Sequence, residues 1–526
     1  MGMASLLFCS SFASDLSAMT QEEEIKMLRE QVQMLLKRIE ELEKNQKELA
    51  DKQKETEKKI PTNWKAYWKN GFRIEYKDPE KKEDYAFRFR TALQLRYTYM
   101  LRDDDFSGGD ENYSSFTMRR LRFFVDGHAP NKDWEYFVHV QLEPKGAVNV
   151  HDATVTWKKY PFFKIQLGRI KIPAMSMEYW QSGFLQQGQD RTIFTDDSEN
   201  YWPYSGTQKL KVGNHLLKNG FPIGGMLLFR SQGINAQGTL DMFNKKQFLA
   251  YWVGVYNGRD TQGASDSNSD DKLYCARLAF NFLSGSDPNG PLGKTTFYNY
   301  FLQGDYYYNT KPALALITSG FWTKDRPSSY YYWDGTSSKE ITNKNHDIEN
   351  YGFDVALLFR YKGFSFDIEG AWEEIIQDPD KGNVGSYPTT LFSDEETWDR
   401  LGFRVNVGYF IVPKKWEVYF KYAYLDRLMD DKLEDAVKSG LGLIKTSKGA
   451  YAIEDYMQQY VLGVNYFLKG FNHYISAEVS YLTINTSKPS EDEISKLNAQ
   501  GMSLPSNWDD ETENDWRFRI SYQFFF

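Results

Sequence analysis

Between residues 87 and 99 the chain reads FRFRTALQLRYTY, and its side chains fall into two sets. One set is Phe87, Phe89, Thr91, Leu93, Leu95, Tyr97 and Tyr99; the other is Arg88, Arg90, Ala92, Gln94, Arg96 and Thr98. Successive side chains of a strand point to opposite faces, so this period of two predicts a β-strand with one apolar and one polar face. The same alternation recurs at LRFFVDG, WEYFVHVQL, ATVTW, FKIQLG, FLAYWVGVY, LYCARLAFNF, FDVALLFRY, FSFDIEGAW, FRVNVGYF, WEVYFKYAY, YVLGVNYF and YISAEVSYL. It ends with WRFRISYQFFF, where Trp516, Phe518, Ile520, Tyr522, Phe524 and Phe526 share one phase. Arg517, Arg519, Ser521, Gln523 and Phe525 share the other.

Short turns join several runs, as at Tyr361-Lys362-Gly363-Phe364 and Lys469-Gly470-Phe471-Asn472. Long polar loops such as DDDFSGGDEN and DTQGASDSNSDD separate others. Short turns at one end and long loops at the other are the asymmetry of an outer-membrane barrel. The pattern predicts an all-β transmembrane barrel over residues 85–526, with about sixteen and at most eighteen antiparallel strands, in even number. A soluble tandem of β domains would require a shared core, and the runs are not continuously apolar.

Ahead of the barrel the period changes. Ile25, Leu28, Val32, Leu35, Ile39, Leu42, Gln46, Leu49, Gln53, Thr56 and Ile60 are spaced alternately by three and four residues. A sustained repeat of 3.5 keeps one seam buried only if helices supercoil, so residues 20–60 are expected to form an α-helical coiled coil. Pro61 ends it, and residues 61–84 form a linker whose Trp64, Tyr67 and Trp68 suit a membrane interface or the base of the barrel. Residues 1–19 read as a truncated signal peptide: an apolar run around Leu6 to Phe8 precedes small residues, without the usual basic start.

Composition supports the barrel. Aromatic residues make up 17% of the 526 residues, yet mean hydropathy is −0.63. No stretch approaches the roughly 18 apolar residues of a membrane helix. The two cysteines, Cys9 and Cys275, suggest no disulfide framework, and Cys275 is expected to be a buried wall or lumen residue.

Three stretches carry a resemblance: FTMRRLRFFVDGHAPNKDWEYFVHVQLEP (116–144), VHDATVTWKKYPFFKIQLGRIKIPAMSMEYW (150–180) and VGVYNGRD (253–260) before DDKLYCARLAF. Their double arginine, Asp-Trp-x-Tyr turn, Asp-Ala strand and Lys-x-Pro exit resemble the phosphate-selective (O/P-type) porin family of Gram-negative outer membranes. The resemblance spans roughly residues 62–526. It implies a sixteen-stranded homotrimeric barrel with an inward-folded loop and a basic lumen. Phe526, with Phe524 and Tyr522, resembles the C-terminal signal read by the barrel-assembly machinery.

A channel selects by the charges along its narrowest part. The phases above direct Arg88, Arg90, Arg96, Arg120, Arg122, Arg517 and Arg519 inward. Because the last strand of a closed barrel pairs with the first, they are expected to form one patch at the seam. Lys171 and Arg191 would extend it along the inward loop. Two readings follow: forked guanidinium donors contact passing oxyanions, or the arginines merely pair with inward acids such as Asp126, Glu135 and Glu143.

The net charge of −8 bears on this choice. Residues 20–60 hold 10 basic and 11 acidic residues and contribute only −1, so the acidity belongs to the barrel and its loops. Asp103, Asp104, Asp105, Asp110 and Glu111 could offer oxygen ligands to a divalent cation, but lack EF-hand spacing. Six histidines, at 128, 139, 151, 215, 346 and 473, form no catalytic or metal-ligand spacing. No enzyme activity, metal or cofactor is expected, and acidic balance disfavours nucleic acid. The expected function is passive diffusion of small anions, phosphate-like or carboxylate, across an outer membrane, with the coiled coil in the periplasm. The alternatives are a nonselective general porin, and an envelope tether reaching peptidoglycan through the coiled coil.

Overall fold

A computed structural model describes residues 21–59, 63–102, 112–142, 148–195, 217–218, 221–222, 225–258, 272–286, 302–325, 329–333, 338–342, 347–378, 396–427, 429, 432–434, 443–445, 448–499 and 504–526. The expected leader, Glu143 and the acidic group Asp103, Asp104, Asp105, Asp110 and Glu111 lie outside these residues.

Helix α1 (Gln21–Lys59) is followed by β1 (Trp64–Trp68), β2 (Phe72–Asp78), β3 (Glu83–Leu101), β4 (Tyr113–His128), β5 (Trp134–Leu142), β6 (Val148–Tyr160) and β7 (Phe163–Lys171). Next come α2 (Met177–Trp180), β8 (Leu217–Lys218), β9 (Phe221–Pro222), β10 (Arg230–Met242), β11 (Lys245–Tyr256), β12 (Leu273–Ser284) and β13 (Ala313–Asp325). The hairpin β14 (Ser329–Trp333) and β15 (Ser338–Thr342) precedes β16 (Asp347–Tyr361), β17 (Phe364–Asp378), β18 (Glu396–Val412) and β19 (Trp416–Asp426). The chain finishes with β20 (Leu443–Lys445), β21 (Tyr451–Phe467), β22 (His473–Ser487), α3 (Glu491–Ala499) and β23 (Glu513–Phe525).

Sixteen of these strands close a barrel. Antiparallel ladders run from β3 through β4, β5, β6, β7, β10, β11, β12, β13, β16, β17, β18, β19, β21 and β22 to β23, which returns to β3. Closure leaves no open sheet edge among these sixteen strands at the level where β23 meets β3. The outward phase is apolar and exposed, for example Leu95, Val253, Phe353, Leu462 and Ile520. A closed wall that is apolar outside and polar along most of its inside is the construction of a membrane barrel. Among the described residues no helix is long and apolar enough to cross a membrane.

The seam has an unforeseen feature. β23 pairs with the second half of β3, with Arg519 opposite Thr98 and Gln523 opposite Gln94. The first half of β3 pairs instead with β2, from Phe72 opposite Phe89 to Asp78 opposite Glu83. The β1–β2 hairpin within the expected linker therefore continues the wall beyond the C-terminus. Its rings join those of β3, with Trp64–Tyr76 centroids 4.9 Å apart and Tyr76–Tyr85 centroids 6.0 Å apart.

One end of the barrel is built from tight hairpins. Between Tyr361 and Phe364, Lys362 and Gly363 have φ of 46° and 83°, the two left-handed positions of a turn that matches strand twist. The exception at this end is the long connection from β12 to β13. Its residues 302–312 enter the lumen, where Leu302, Gln303, Asp305 and Asn309 are buried.

From the loop end a second segment, 172–195, also folds inward. Here the interior is apolar rather than polar: Ile172, Met175, Phe194, Met226 and Leu228 pack on Tyr256, Cys275, Phe321 and Leu425 of the inner wall. Each fully buried apolar side chain of this size stabilises the docked segment by about 1.5–3 kcal/mol. Cys275 is a buried, free thiol in that layer. Helix α1 stands as a single helix whose Ile25, Leu28, Val32, Leu35, Ile39, Leu42 and Leu49 are all exposed.

Candidate functional site

The inward loop is fastened at Asp190. Its Oδ1 accepts from Arg119 Nε at 2.7 Å, and its Oδ2 accepts from Arg96 Nη1 at 2.7 Å and from Arg519 Nη1. Lys421 Nζ donates to the Asp190 carbonyl at 2.9 Å. Strict alternation would send Arg119 to the lipid side. The β3–β4 register shifts between Gln94–Arg120 and Leu95–Met118, leaving Arg119 as an extra residue that turns inward with Arg120. An arginine facing lipid at mid-membrane costs about 2–4 kcal/mol, so an Arg-Arg pair inside such a strand is itself a signal for a bulge.

The loop's other carboxylate is also occupied. Glu178 Oε2 accepts from Thr192 N at 3.1 Å, and from Thr192 Oγ1 and Thr195 Oγ1 at 2.7 Å each. Gln303, from the segment entering at the opposite end, donates to Leu185 O at 2.8 Å and accepts from Gln187 N at 3.0 Å. The two lumen segments thus meet and brace each other.

Along β12 to β18 the inner wall is neutralised internally. Arg400 meets Glu373 at 2.9 Å and Arg404 meets Glu369 at 2.6 Å, with both pairs fully buried. Arg360 binds Asp367 in the same way. Each of these cations has its own acid, and the lumen segments reach two of the pairs: Arg360 Nη2 donates to Leu302 O, and Glu178 N donates to Glu369.

The opposite sector differs. Lys171 and Arg230 are cross-strand neighbours on β7 and β10, a like-charge juxtaposition that opposes stability. Tyr179 of α2 lies between them and the returning loop. Its ring has Lys171 Nζ at 4.5 Å, Arg191 Cζ at 4.7 Å and Arg230 Cζ at 5.8 Å from the centroid. The negative face of the ring attracts each cation. Arg230 Nη1 also donates to Tyr179 Oη at 2.5 Å. Arg122 adds a fourth positive charge, with its guanidinium 5.4 Å from the Phe184 ring. Among the described residues one carboxylate, Asp152, reaches the group, accepting from Arg230 Nε at 2.9 Å and contacting His139 Nδ1 at 2.8 Å.

Local backbone aims Tyr179. Met175 and Ser176 have φ of 53° and 41°, consecutive left-handed non-glycine residues that reverse the chain into α2. Ser176 Oγ caps the turn by accepting from Tyr179 N at 3.0 Å, and Glu178 N donates to Glu369 Oε2 across the lumen at 3.2 Å. Two such strained residues in series mark a place where position outweighs local backbone preference.

The arginines read from the sequence therefore divide. Arg88 and Arg90 share Asp126, at 2.6 Å and 2.7 Å, with about a fifth to a quarter of each side chain exposed. Arg96, Arg120, Arg517 and Arg519 lie on the inner wall but are buried. Arg120 Nη1 donates to Gln94 Oε1 at 2.5 Å and Gln189 O at 2.7 Å; Arg517 Nη2 donates to Ser480 Oγ at 3.3 Å. Arg122, Lys171 and Arg191 are half-buried in the Tyr179 group. Glu135, expected beside the arginines, instead pairs with Lys158. Arg119, Tyr179 and Arg230 belong to the arrangement without having been singled out by alternation. Among the described residues no group of acids, histidines and cysteines is arranged to hold a metal ion.

Phe524 and Phe526 point outward and are exposed, and Tyr522 Oη contacts His473 on the neighbouring strand. Phe526 also joins the seam through its backbone, accepting from Thr91 N at 2.7 Å and donating to Thr91 O at 2.9 Å.

No protein-family model and no curated protein sequence matches the chain. Among solved structures it is similar to OmpT of Vibrio cholerae, an outer-membrane protein, at 13% identity and TM-score 0.44, covering 84% of this chain and 98% of that one. It is also similar to the outer membrane channel DcaP of Acinetobacter baumannii, at 11% identity and TM-score 0.41, covering 84% and 97%. Pseudomonas putida OprB gives 10% identity and TM-score 0.44, covering 84% and 94%.

Proposed function

We propose that the protein is an outer-membrane porin through which small anions diffuse, selected by the cations gathered on Tyr179. The observation that carries this reading is the excess of cations over carboxylates in that sector among the described residues. Lys171, Arg191 and Arg230 share one ring beside Arg122, while Asp190 and Glu178 of the same loop are bound elsewhere. Elsewhere in the described lumen, Arg360, Arg400 and Arg404 each meet a carboxylate, while Arg120 and Arg517 lie buried against amide, carbonyl and hydroxyl oxygens. Concentrated positive charge in a low-dielectric constriction favours anions irrespective of the chain's overall negative charge. Phosphate-like and carboxylate solutes both suit forked guanidinium donors. A planar-bilayer measurement of zero-current potential in a KCl gradient tests this: the sign is that of chloride preference, and a potassium-selective sign would overturn the reading.

The exposed heptad of α1 supports a second element of the proposal. Its apolar stripe, Ile25 through Leu49, associates three copies in the periplasm, placing three barrels side by side in the membrane. Cross-linking of the full chain is expected to give trimers, with a smaller trimer fraction after deletion of 21–59. An unchanged fraction would show that the helix does not contribute.

A further inference from the structure

Between the Tyr179 group and the short-turn end, the wall around β6, β7, β10 and β11 borders a cavity of about 400 Å³. Lys171 and Arg230 line it, as do Pro161 and Thr239, which are joined by a backbone bond at the turn end. Its volume falls within the roughly 300–1,000 Å³ of small-molecule sites.

The lining combines three chemistries. Trp180 from α2 and Trp252 from β11 supply indole surfaces, with ring centroids 5.8 Å apart at 71°. Gln166, Gln237 and Gln247 supply amides, and the Gln247 Oε1 is buried without a hydrogen-bond partner. Lys164, Lys171 and Arg230 line the cavity with one described carboxylate, Asp152, whose oxygens are already held by Arg230 and His139; Glu135, beside Lys164, lies outside the lining and pairs with Lys158.

We infer that this cavity is a binding subsite for monosaccharide acids of the hexuronate class. An inorganic oxyanion would use the cations but neither the indoles nor the amides. A neutral sugar would use the indoles and amides but leave the excess positive charge unmatched. A uronate uses all three: its carboxylate meets Lys171 or Lys164, its hydroxyls exchange hydrogen bonds with amides that both donate and accept, and its C–H face lies on indole. Entry from the anion-selective constriction delivers such a solute to this cavity, so the inference rests on the porin reading.

Blockade of single-channel current by glucuronate, glucose and propionate tests it. Glucuronate is expected to half-block at a concentration at least roughly tenfold below either of the others. The Gln237→Ala/Gln247→Ala double variant should bring glucuronate close to propionate, and Trp252→Ala should do likewise. Because Trp252 also packs in the wall, the glutamine pair decides the matter if the tryptophan variant does not assemble. Equal block by glucuronate and propionate in the wild type, or an undiminished gap in the glutamine variant, would overturn the inference. KCl selectivity in the same bilayers separates the two levels: a chloride-selective channel without glucuronate preference removes only the subsite, whereas a potassium-selective channel removes the anion-selective reading with it.

Discussion

Arg119 Nε donates to Asp190 Oδ1 at 2.7 Å, joining a bulged wall strand to the loop that fills the lumen. With Arg96 and Arg519 on the other oxygen, one carboxylate ties that loop to three strands around the seam. Removing one member of a buried charge group leaves the others uncompensated, at a cost of about 3–5 kcal/mol. Asp190→Asn is therefore expected to loosen the loop, raising single-channel conductance and current noise. Conductance and noise identical to wild type would show that apolar packing alone holds the loop.

The position of the charges also sets a salt dependence. Screening lengths fall from about 10 Å at 0.1 M to about 3 Å at 1 M, and half-buried cations around Tyr179 remain partly within reach of that screening. Chloride preference should decline as KCl rises over this range at fixed gradient. Selectivity independent of salt would locate discrimination in charges shielded from the electrolyte rather than in these half-buried cations.

How much of this was visible in the chain follows the periodicities. Alternation shows the strands, the even barrel and the inward phase of Arg88, Arg96 and Arg519, because the side-chain period of a strand is fixed. It misassigns Arg119, since one inserted residue reverses the phase and only the cost of an arginine in lipid betrays the bulge. Residues 302–312 have no period and no motif, and their place in the lumen comes from buried contacts such as Gln303 with Leu185. Tyr179 sits in MSMEYW, where nothing local distinguishes it from an ordinary aromatic; the cations around its ring come from residues 171, 191 and 230, brought together only by the fold.

The terminal phenylalanine has two parts. Its ring is outward and exposed, and its backbone closes the seam through two hydrogen bonds to Thr91, each contributing about 0.5–1.5 kcal/mol net. Deleting Phe526 is expected to reduce the number of barrels that assemble in the outer membrane without changing the conductance of those that do. Normal assembly would count against a signal at this residue. Altered conductance would show that seam closure reaches the constriction.

The central claim is that selection occurs at Tyr179 and not along the arginine-rich seam as a whole. The most direct measurement is the zero-current potential, in a KCl gradient, of the Lys171→Gln/Arg191→Gln/Arg230→Gln triple variant beside the wild type. Chloride preference is expected in the wild type and its loss or reversal in the triple variant, which keeps only Arg122 of the four cations while the seam arginines Arg88, Arg90, Arg96 and Arg519 stay bound to acids. A triple variant as chloride-selective as the wild type would contradict the account.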